Sequence, residues 1–157
     1  MTPDSLARFD DVTARWFVRT LGTPTAVQTE AWPAIASGRD TLVSAPTGTG
    51  KTLAAFLVFI DRLRALARAG TLSPELHLIY VSPLKSLAGD IRETLRRPLT
   101  GIAREEREAG LSEGPFTADL LVAVRTGDTP QADRRRMVTK PPHILITTPE
   151  SLYLMLT

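Results

Sequence analysis

The amino-acid sequence predicts an α/β fold with an open parallel sheet flanked by helices and preceded by N-terminal helices. Short apolar segments alternate with longer segments of helical periodicity, which is typical of parallel strands joined by right-handed crossovers. A glycine-rich turn, "TGTGK", joins one strand-like segment to a helical one. The chain of 157 residues is long enough for one domain with a sizeable core. The predicted strands are residues 40–45, 76–82, 119–126 and 143–148.

The N-terminal segment predicts two helices. In the first, apolar residues recur at helical spacing, and Asp4 is expected to cap the start. The turn "LGTPT" interrupts this pattern, and Thr25 is expected to open the second helix. We therefore divide the chain into a helical segment, residues 1–38, and an α/β segment, residues 39–157. The apolar face of the first helix comprises Phe9, Val12 and Trp16.

Helical patterns also follow the predicted strands. Residues 51–69 form a long helix whose apolar first half indicates deep burial. Residues 83–97 predict a further helix, and residues 149–157 begin another. The charged segment at residues 104–110 is interpreted as a solvated helical face.

The composition excludes several classes of protein. There are no cysteines, so a disulfide framework and a cysteine-ligated metal site are both impossible. No segment approaches the roughly 18 apolar residues that span a membrane, and the N-terminus does not have the pattern of a signal peptide. We expect a cytoplasmic protein with no membrane partner. The net charge of +2 does not by itself indicate nucleic-acid binding.

Residues 45–52, "APTGTGKT", follow the phosphate-binding pattern G-x-x-x-x-G-K-[S/T], with alanine in place of the first glycine. A strand-like segment precedes the loop and a helical one follows it, which is the context that this pattern requires. Glycines let successive N–H groups point at phosphate oxygens, and the helix start adds the positive end of its dipole. The alternative is a glycine turn that leads into a helix with a surface lysine. The predicted nucleotide contacts are Ala45, Pro46, Thr47, Gly48, Thr49, Gly50, Lys51 and Thr52.

Two side chains of this loop are candidates for catalysis. Lys51 is expected to reach the β and γ phosphates of ATP. The Thr52 hydroxyl is expected to ligate Mg²⁺. The pattern therefore predicts nucleotide phosphates and Mg²⁺ as ligands, and ATP is the nucleotide that the resemblance described next implies.

The alanine at the first position is informative, because "APTGTGKT" resembles the loop of superfamily 2 helicases, usually spelled A-x-T-G-x-G-K-T. The resemblance implies a RecA-like domain. In these helicases a glutamine upstream of the loop reads adenine, and Gln28 within "GTPTAVQ" matches it. Alternatively, Gln28 completes a capping box that begins at Thr25, and the two roles are compatible. Candidates to stack on the base, with core packing as the alternative, are Phe9, Trp16 and Phe17.

Three further turns resemble helicase motifs that hold the nucleic-acid backbone: "YVSPLK" (motif Ia), "VRTGDTP" (the T-G motif) and "TTPESL" (motif Ib). Each follows a predicted strand, at the edge where open parallel sheets bind ligands. Any one of them alone is an ordinary strand-to-helix turn. The resemblance implies contacts to single-stranded nucleic acid, with DNA favoured over RNA. The matching residues are Ser82, Pro83, Lys85, Arg125, Thr126, Gly127, Thr148, Pro149, Glu150 and Ser151.

The segment at residues 125–140 carries an excess of positive charge. The turn at its start is the favoured phosphate contact, because it follows a strand beside the other two turns. The arginine triplet at residues 134–136 is interpreted as a solvated helical face, since consecutive helical residues point about 100° apart and cannot all face one strand.

Longer segments of the sequence narrow the resemblance. "WPAIASGRDTLVSAPTGTGKTLAAFL", "YVSPLKSLAGD" and "PPHILITTPESLYLML" resemble the large helicase-related (Lhr) family over most of the chain. The resemblance implies an ATP-dependent helicase that couples hydrolysis to translocation and to unwinding of DNA or RNA–DNA duplexes.

The acidic D-E-x-H motif of such helicases is expected beyond Thr157, as is a second RecA-like domain. We therefore expect an incomplete RecA-like domain that does not hydrolyse ATP alone and whose partner is the remainder of the motor. Two acidic pairs, Asp10–Asp11 and Glu105–Glu106, do not follow an apolar strand as the family motif does.

Two other functions remain as alternatives. A binding module would hold nucleotide or nucleic acid without catalysis. A small-molecule P-loop kinase or transport ATPase would explain the phosphate loop but not the three other turns.

Overall fold

The computed structural model describes residues 4–83, 85–111 and 120–157, and the side chains of residues 85–90 and 93 fall outside the description. The chain forms two compact units, residues 1–70 with 98–117 and residues 71–97 with 118–157. None of the helices in the described ranges has the length and apolarity that a membrane crossing needs. The elements in chain order are α1 Asp11–Leu21, α2 Ala26–Ala36, α3 Lys51–Arg68, β1 Leu78–Val81, α4 Lys85–Glu108, β2 Val122–Arg125, α5 Gln131–Thr139, β3 Ile144–Thr147 and α6 Pro149–Leu156.

The second unit contains a parallel three-stranded sheet in the order β1–β3–β2. The central strand β3 is buried along its whole length, which explains its continuous apolar sequence. Val81 of β1 and Arg125 of β2 both pair with Thr147 of β3. The carboxyl ends of the strands therefore meet at one edge. The predicted α/β fold with a parallel sheet and flanking helices is confirmed.

The strand predicted at residues 40–45 is not formed in the described structure. Leu42 is 93% exposed. A strand is stabilised by hydrogen bonds to a neighbour, and no strand of the described sheet pairs with this segment. Its apolar pattern indicated β propensity, but a strand also needs a neighbouring strand to pair with, and propensity does not predict one.

An aromatic core holds the first unit together. The rings of Phe9 and Phe17 meet the buried ring of Trp32 edge-to-face, with centroids 4.9 and 5.7 Å away. The backbone of α4 approaches the Trp16 indole so closely at Gly101 that any added side chain would overlap the ring. The helical spacing of these apolar residues was therefore a correct indication of a core.

Helix α1 begins later than predicted. Asp10 caps it, since its carboxylate accepts a hydrogen bond from the Val12 N–H at 3.2 Å. Residues Asp4–Leu6 form only a short 3-10 turn. Either aspartate has the chemistry of a cap, and apolar spacing alone did not distinguish between them.

Helix α4 joins two segments that were predicted separately. It runs through Pro98 without a break and ends at Glu108. The prediction of a solvated face at residues 104–110 was wrong for Glu106, which is 0% exposed. A run of charged residues indicates solvent exposure only where no oppositely charged residue of another helix is buried against it.

A buried charge cluster, formed by Asp10, Arg64, Arg68 and Glu106, joins α1, α3 and α4 in the first unit. Glu106 Oε1 accepts from Arg64 Nε at 3.1 Å and from Arg68 Nη1 at 2.6 Å. Arg68 also donates to Asp10 through Nη2 at 2.6 Å. Beside the cluster, burial raises the pKa of Asp61, which accepts the Asp10 N–H at 3.2 Å. The acidic residues of this region are therefore committed to holding the helices together.

Candidate nucleotide and nucleic-acid site

The phosphate-binding pattern folds into a turn that leads directly into α3. Gly50 is the N-cap of the helix with φ 83°, and Gly48 has φ 80°. Both values lie in the left-handed region, which residues with a side chain rarely adopt. The two glycines of the pattern are therefore required by the backbone, and they place the turn at the positive end of the α3 dipole.

Lys51 folds back over this loop. Its ammonium donates to the Pro46 carbonyl at 2.6 Å and also to the Ala45 carbonyl. The positive charge is thus held against the turn that precedes it. Thr52 follows in the first turn of α3 and is half-buried. The loop carries the lysine and the hydroxyl that phosphate and Mg²⁺ recognition require.

Gln28 lies beside the loop and forms the predicted capping box. Its Oε1 accepts the Thr25 N–H at 3.0 Å, and the Thr25 hydroxyl accepts the Gln28 N–H at 3.3 Å. The other end of the amide, Nε2, reaches the Gly50 carbonyl at 3.5 Å. Gln28 is only 4% exposed. The structure therefore brings the upstream glutamine and the phosphate loop together.

The three aromatic residues proposed to stack on a base are all buried in the core of the first unit. Phe9 and Phe17 contact Trp32, and Trp16 packs against the backbone of α4. Their burial supports the core-packing alternative.

The three turns predicted to hold nucleic acid are joined at the carboxyl edge of the sheet. After β1, the Ser82 N–H donates to the Thr147 carbonyl at 2.9 Å. The Thr147 hydroxyl in turn donates to the Arg125 carbonyl at 2.7 Å. Pro83 is exposed beside Ser82, and Lys85 begins α4 with its side chain outside the described residues.

The turn after β2 is braced by Arg134, and for this residue the prediction of a solvated helical face was wrong. Arg134 of α5 donates through Nε to the Thr129 carbonyl at 2.9 Å and through Nη2 to the Gly127 carbonyl at 2.8 Å. The Thr126 N–H donates to the Thr129 hydroxyl at 2.8 Å. The other two arginines of the triplet are exposed, as predicted. Bonds from a side chain to main-chain carbonyls follow no residue pattern, so sequence analysis missed this one.

The turn after β3 begins α6. Thr148 is its N-cap, with its hydroxyl accepting the Ser151 N–H at 3.4 Å and donating to the Ser151 hydroxyl at 3.2 Å. Both residues are buried, whereas Pro149 and Glu150 are exposed. The two hydroxyls therefore shape the turn, and the exposed surface is formed by the residues between them.

Comparison with known proteins agrees with these observations. The family model described as DEAD/DEAH box helicase matches residues 25–157. A Lhr helicase/probable uracil glycosylase from Mycolicibacterium smegmatis is 52% identical over 98% of this chain and 10% of its own length. The Lhr helicase/uracil glycosylase of Escherichia coli is 47% identical over 95% of this chain and 10% of its own length.

Among solved structures, Mycobacterium smegmatis helicase Lhr bound to ssDNA and AMP-PNP matches with a TM-score of 0.86 and 50% identity, over 98% of this chain and 18% of that chain. The chain thus spans about a tenth of the length of the curated relatives that it matches. The predicted resemblance to superfamily 2 helicases of the Lhr type is confirmed. The chain belongs to the DEAD/DEAH box helicase family, and it is homologous to Lhr helicases over nearly all of its length.

Proposed function

We propose that this chain is the ATP-binding part of an ATP-dependent helicase motor, with Mg²⁺ bound through Thr52. The observation that carries the proposal is the glycine turn at the start of α3, with Lys51 held against it. The homologous Lhr structure bound to AMP-PNP supports it. In the whole protein, ATP hydrolysis would drive translocation and the unwinding of DNA or RNA–DNA duplexes.

Replacement of Lys51 by alanine tests the nucleotide site. Loss of a charge-assisted hydrogen bond costs about 1.5–3 kcal/mol, so we expect the affinity for Mg²⁺–AMP-PNP to fall by about tenfold or more. Isothermal titration calorimetry measures this, with the exposed Lys140→Ala variant as the matched control. Equal affinities for the Lys51 variant and the unmodified protein would contradict the assignment of residues 45–52 as the nucleotide site.

We further propose that Gln28 selects adenine. Each end of its amide makes one hydrogen bond in the structure, and an amide has capacity for one more at each end. A donor and an acceptor side by side match N6/N7 of adenine and mismatch O6 of guanine.

For Gln28→Ala we expect the preference for ATP over GTP to disappear and the melting temperature to fall. Competition binding gives the first quantity and a thermal melt gives the second. An unchanged nucleotide preference with a lowered melting temperature would leave Gln28 with the capping role alone.

The three joined turns are proposed to hold single-stranded nucleic acid, DNA in preference to RNA. Their common position at the carboxyl edge of the sheet supports this, as does the ssDNA complex of the homologous Lhr helicase. Proposed backbone contacts are Ser82, Pro83, Lys85, Arg125, Thr126, Gly127, Thr148, Pro149, Glu150 and Ser151.

A salt titration distinguishes nucleic-acid binding at the turn after β2 from binding at the arginines of α5. If about three or four phosphates are contacted, a log–log plot of single-strand affinity against salt has a slope of about −2 to −3. Arg125→Ala is expected to reduce the slope by about one contact, and Arg135→Ala to leave it unchanged. The opposite ranking would place the binding surface on α5.

We also propose that this segment does not hydrolyse ATP by itself. In each of the two acidic pairs of the sequence one carboxylate has structural partners, and neither pair follows an apolar strand as the family motif does. Glu106 bonds Arg64 and Arg68, and Asp10 caps α1 and bonds Arg68. Neither is therefore available to polarise a water molecule, and the hydrolytic acid would come from elsewhere in the motor.

A further inference from the structure

A groove of about 630 Å³ follows strand β2 within the second unit. Four consecutive residues, 121–124, line it. Successive side chains of a strand point to opposite faces of a sheet, so a groove that contacts all four lies along the edge of the strand. One side of α5 and the residue that follows this helix form a second wall. Their lining residues recur at helical spacing: Asp133, Arg136, Met137 and Lys140.

Strand β2 is bonded to the sheet along one side. The sheet order β1–β3–β2 gives it β3 as its neighbour in the described structure. The carbonyls of Leu121 and Arg125 both accept hydrogen bonds from the β3 side. In a parallel ladder, alternate residues of a strand bond a given neighbour. The main-chain groups of Val122 and Val124 therefore point away from β3 and towards the groove.

Three of these outward main-chain groups have no partner among the described residues. The Val124 carbonyl accepts the Thr129 hydroxyl at 3.5 Å. Within the same described ranges, the Val122 N–H, the Val122 carbonyl and the Val124 N–H have none. Both valines are half-buried, and main-chain groups that are shielded from water are normally paired. The groove therefore offers two donors and one acceptor to an additional strand.

The charge of the groove differs between its two ends. The turn after β2 lies at the carboxyl end of the strand and places Asp128 and Asp133 there, at what we call the acidic end. Helix α5 then runs back towards the start of β3, so Arg136 and Lys140 lie nearer the amino end of β2, the basic end. Arg92 of α4 lines the groove as a third cation. All five residues are exposed, so their charges can contact a bound chain.

We propose that this groove docks an extended segment of a partner protein, which joins the sheet as a fourth strand beside β2. Main-chain hydrogen bonds to Val122 and Val124 supply the affinity, as in other cases of strand addition to a sheet edge. Carboxylates of the segment lie against the basic end and a cation lies against the acidic end, which determines the direction of binding. The groove is separate from the phosphate loop, so the inference does not depend on nucleotide binding.

Two other occupants fit the groove less well. A nucleic-acid strand has a negative charge at every phosphate, and the two carboxylates at the acidic end would repel it. It also has no row of N–H and C=O groups to match the edge of a strand. A second copy of this chain would bring its own α5 against the groove, whereas an extended segment brings only its side chains.

Two peptides test strand addition. The probe is acetyl-KTVTVEVE-amide, whose lysine meets the acidic end and whose glutamates meet the basic end when it pairs antiparallel to β2. The control is acetyl-KTPTPEPE-amide, which has the same charges but no N–H at its prolines. We expect the control to bind about tenfold more weakly or worse, because it cannot form a ladder of hydrogen bonds. Competition against a labelled copy of the probe, followed by fluorescence anisotropy, measures both affinities.

Val122→Pro tests the edge of β2 directly. Proline is tolerated in an edge strand where its nitrogen faces away from the sheet, so we expect a nearly unchanged melting temperature. Affinity for the valine probe should fall by about tenfold, since one donor is lost and the proline ring obstructs the edge. A clearly lowered melting temperature would show that the Val122 N–H is needed within the sheet, and the inference would then be wrong.

Arg136→Glu tests the basic end, with Arg135→Glu as the matched control. The two variants change the net charge equally and lie on the same helix, but Arg135 is not among the residues that line the groove. We expect the Arg136 variant to bind the valine probe about tenfold more weakly and the Arg135 variant to bind it like the unmodified protein. Equal losses would show a general electrostatic attraction and would contradict a specific basic end.

The remaining outcomes identify another occupant or none. Equal binding of the valine and proline peptides, or no binding of either, would overturn strand addition. If the chain dimerises in analytical ultracentrifugation and Val122→Pro makes it monomeric, a second copy occupies the groove and the proposal fails. If Val122→Pro and Arg136→Glu weaken the binding of oligo-dT but not of the valine probe, the groove belongs to the nucleic-acid surface instead.

Discussion

Replacement of Glu106 by alanine is expected to destabilise the first unit by about 3–5 kcal/mol, the cost of removing one partner from a buried ion pair. Glu106 is 0% exposed, and its carboxylate accepts from both Arg64 and Arg68. Arg68 retains Asp10 after the change, but the buried Arg64 loses the carboxylate that it pairs with in the cluster.

Denaturant titration followed by tryptophan fluorescence measures this effect, because both tryptophans of the chain, Trp16 and Trp32, lie in the first unit. Glu105→Ala is the matched control, since it removes a neighbouring carboxylate whose partner Arg19 is largely exposed. A loss of only about 0–1 kcal/mol is expected there. Equal losses for the two variants would contradict the importance of the buried cluster.

Gly50→Ala is expected to reduce nucleotide affinity by about 100-fold or more, through backbone strain and overpacking together. A β-carbon at Gly50 would lie 2.5 Å from the Gln28 Nε2 atom, far inside contact distance. The φ of 83° adds strain for any residue with a side chain. Relief of the contact requires Gln28 to move out of its capping box or the loop to leave the conformation that starts α3, and the backbone strain remains unless the loop moves.

Gly48 provides the matched control for this variant. Its φ is 80°, yet an added β-carbon there meets no atom within 4 Å among the described residues. Gly48→Ala should therefore show the strain alone, a loss of about tenfold. Gln28→Ala should cost less affinity in the Gly50 variant than in the unmodified protein, because it also removes the obstructing side chain. Equal losses at the two glycines would show that the Gln28 contact is irrelevant.

Local features of this fold were predictable from the sequence. The start of α2 depends on Thr25 and Gln28, which are three residues apart and interact within one turn. The order of strands and helices in the second unit also followed from patterns that each segment carries within itself. The start of α1 was missed because two aspartates offered the same local chemistry.

Features that depend on distant partners were not predictable. The run at residues 40–45 has a strand-like sequence, but pairing depends on another segment. Glu106 lies in a run of charged residues, which is typical of a solvated face. Its partner Arg64 lies far away in the chain, so the sequence around Glu106 gives no sign that the two are buried together.

In the candidate site, too, local features were predictable from the sequence and contacts between distant residues were not. The glycines and Lys51 were identified by a pattern that reflects backbone conformation and charge, and the structure accounts for each of them. The contacts from Thr25 to the loop and from Arg134 to its turn end on main-chain carbonyls. Every residue has such a carbonyl, so sequence alone does not specify which one is used.

The order of strands in the sheet has a consequence during synthesis. β1 and β2 each pair with β3 and not with one another, yet β3 is made after both. At about 5–20 residues per second, a ribosome takes several seconds to extend the chain from Val81 to Thr147. Throughout that interval the main-chain N–H and C=O groups of β1 have no strand of this sheet to pair with, and they are open to pairing with other chains. Assembly of the sheet therefore begins only when Ile144–Thr147 emerges, and β1 is the strand that spends longest on the nascent chain without its partner.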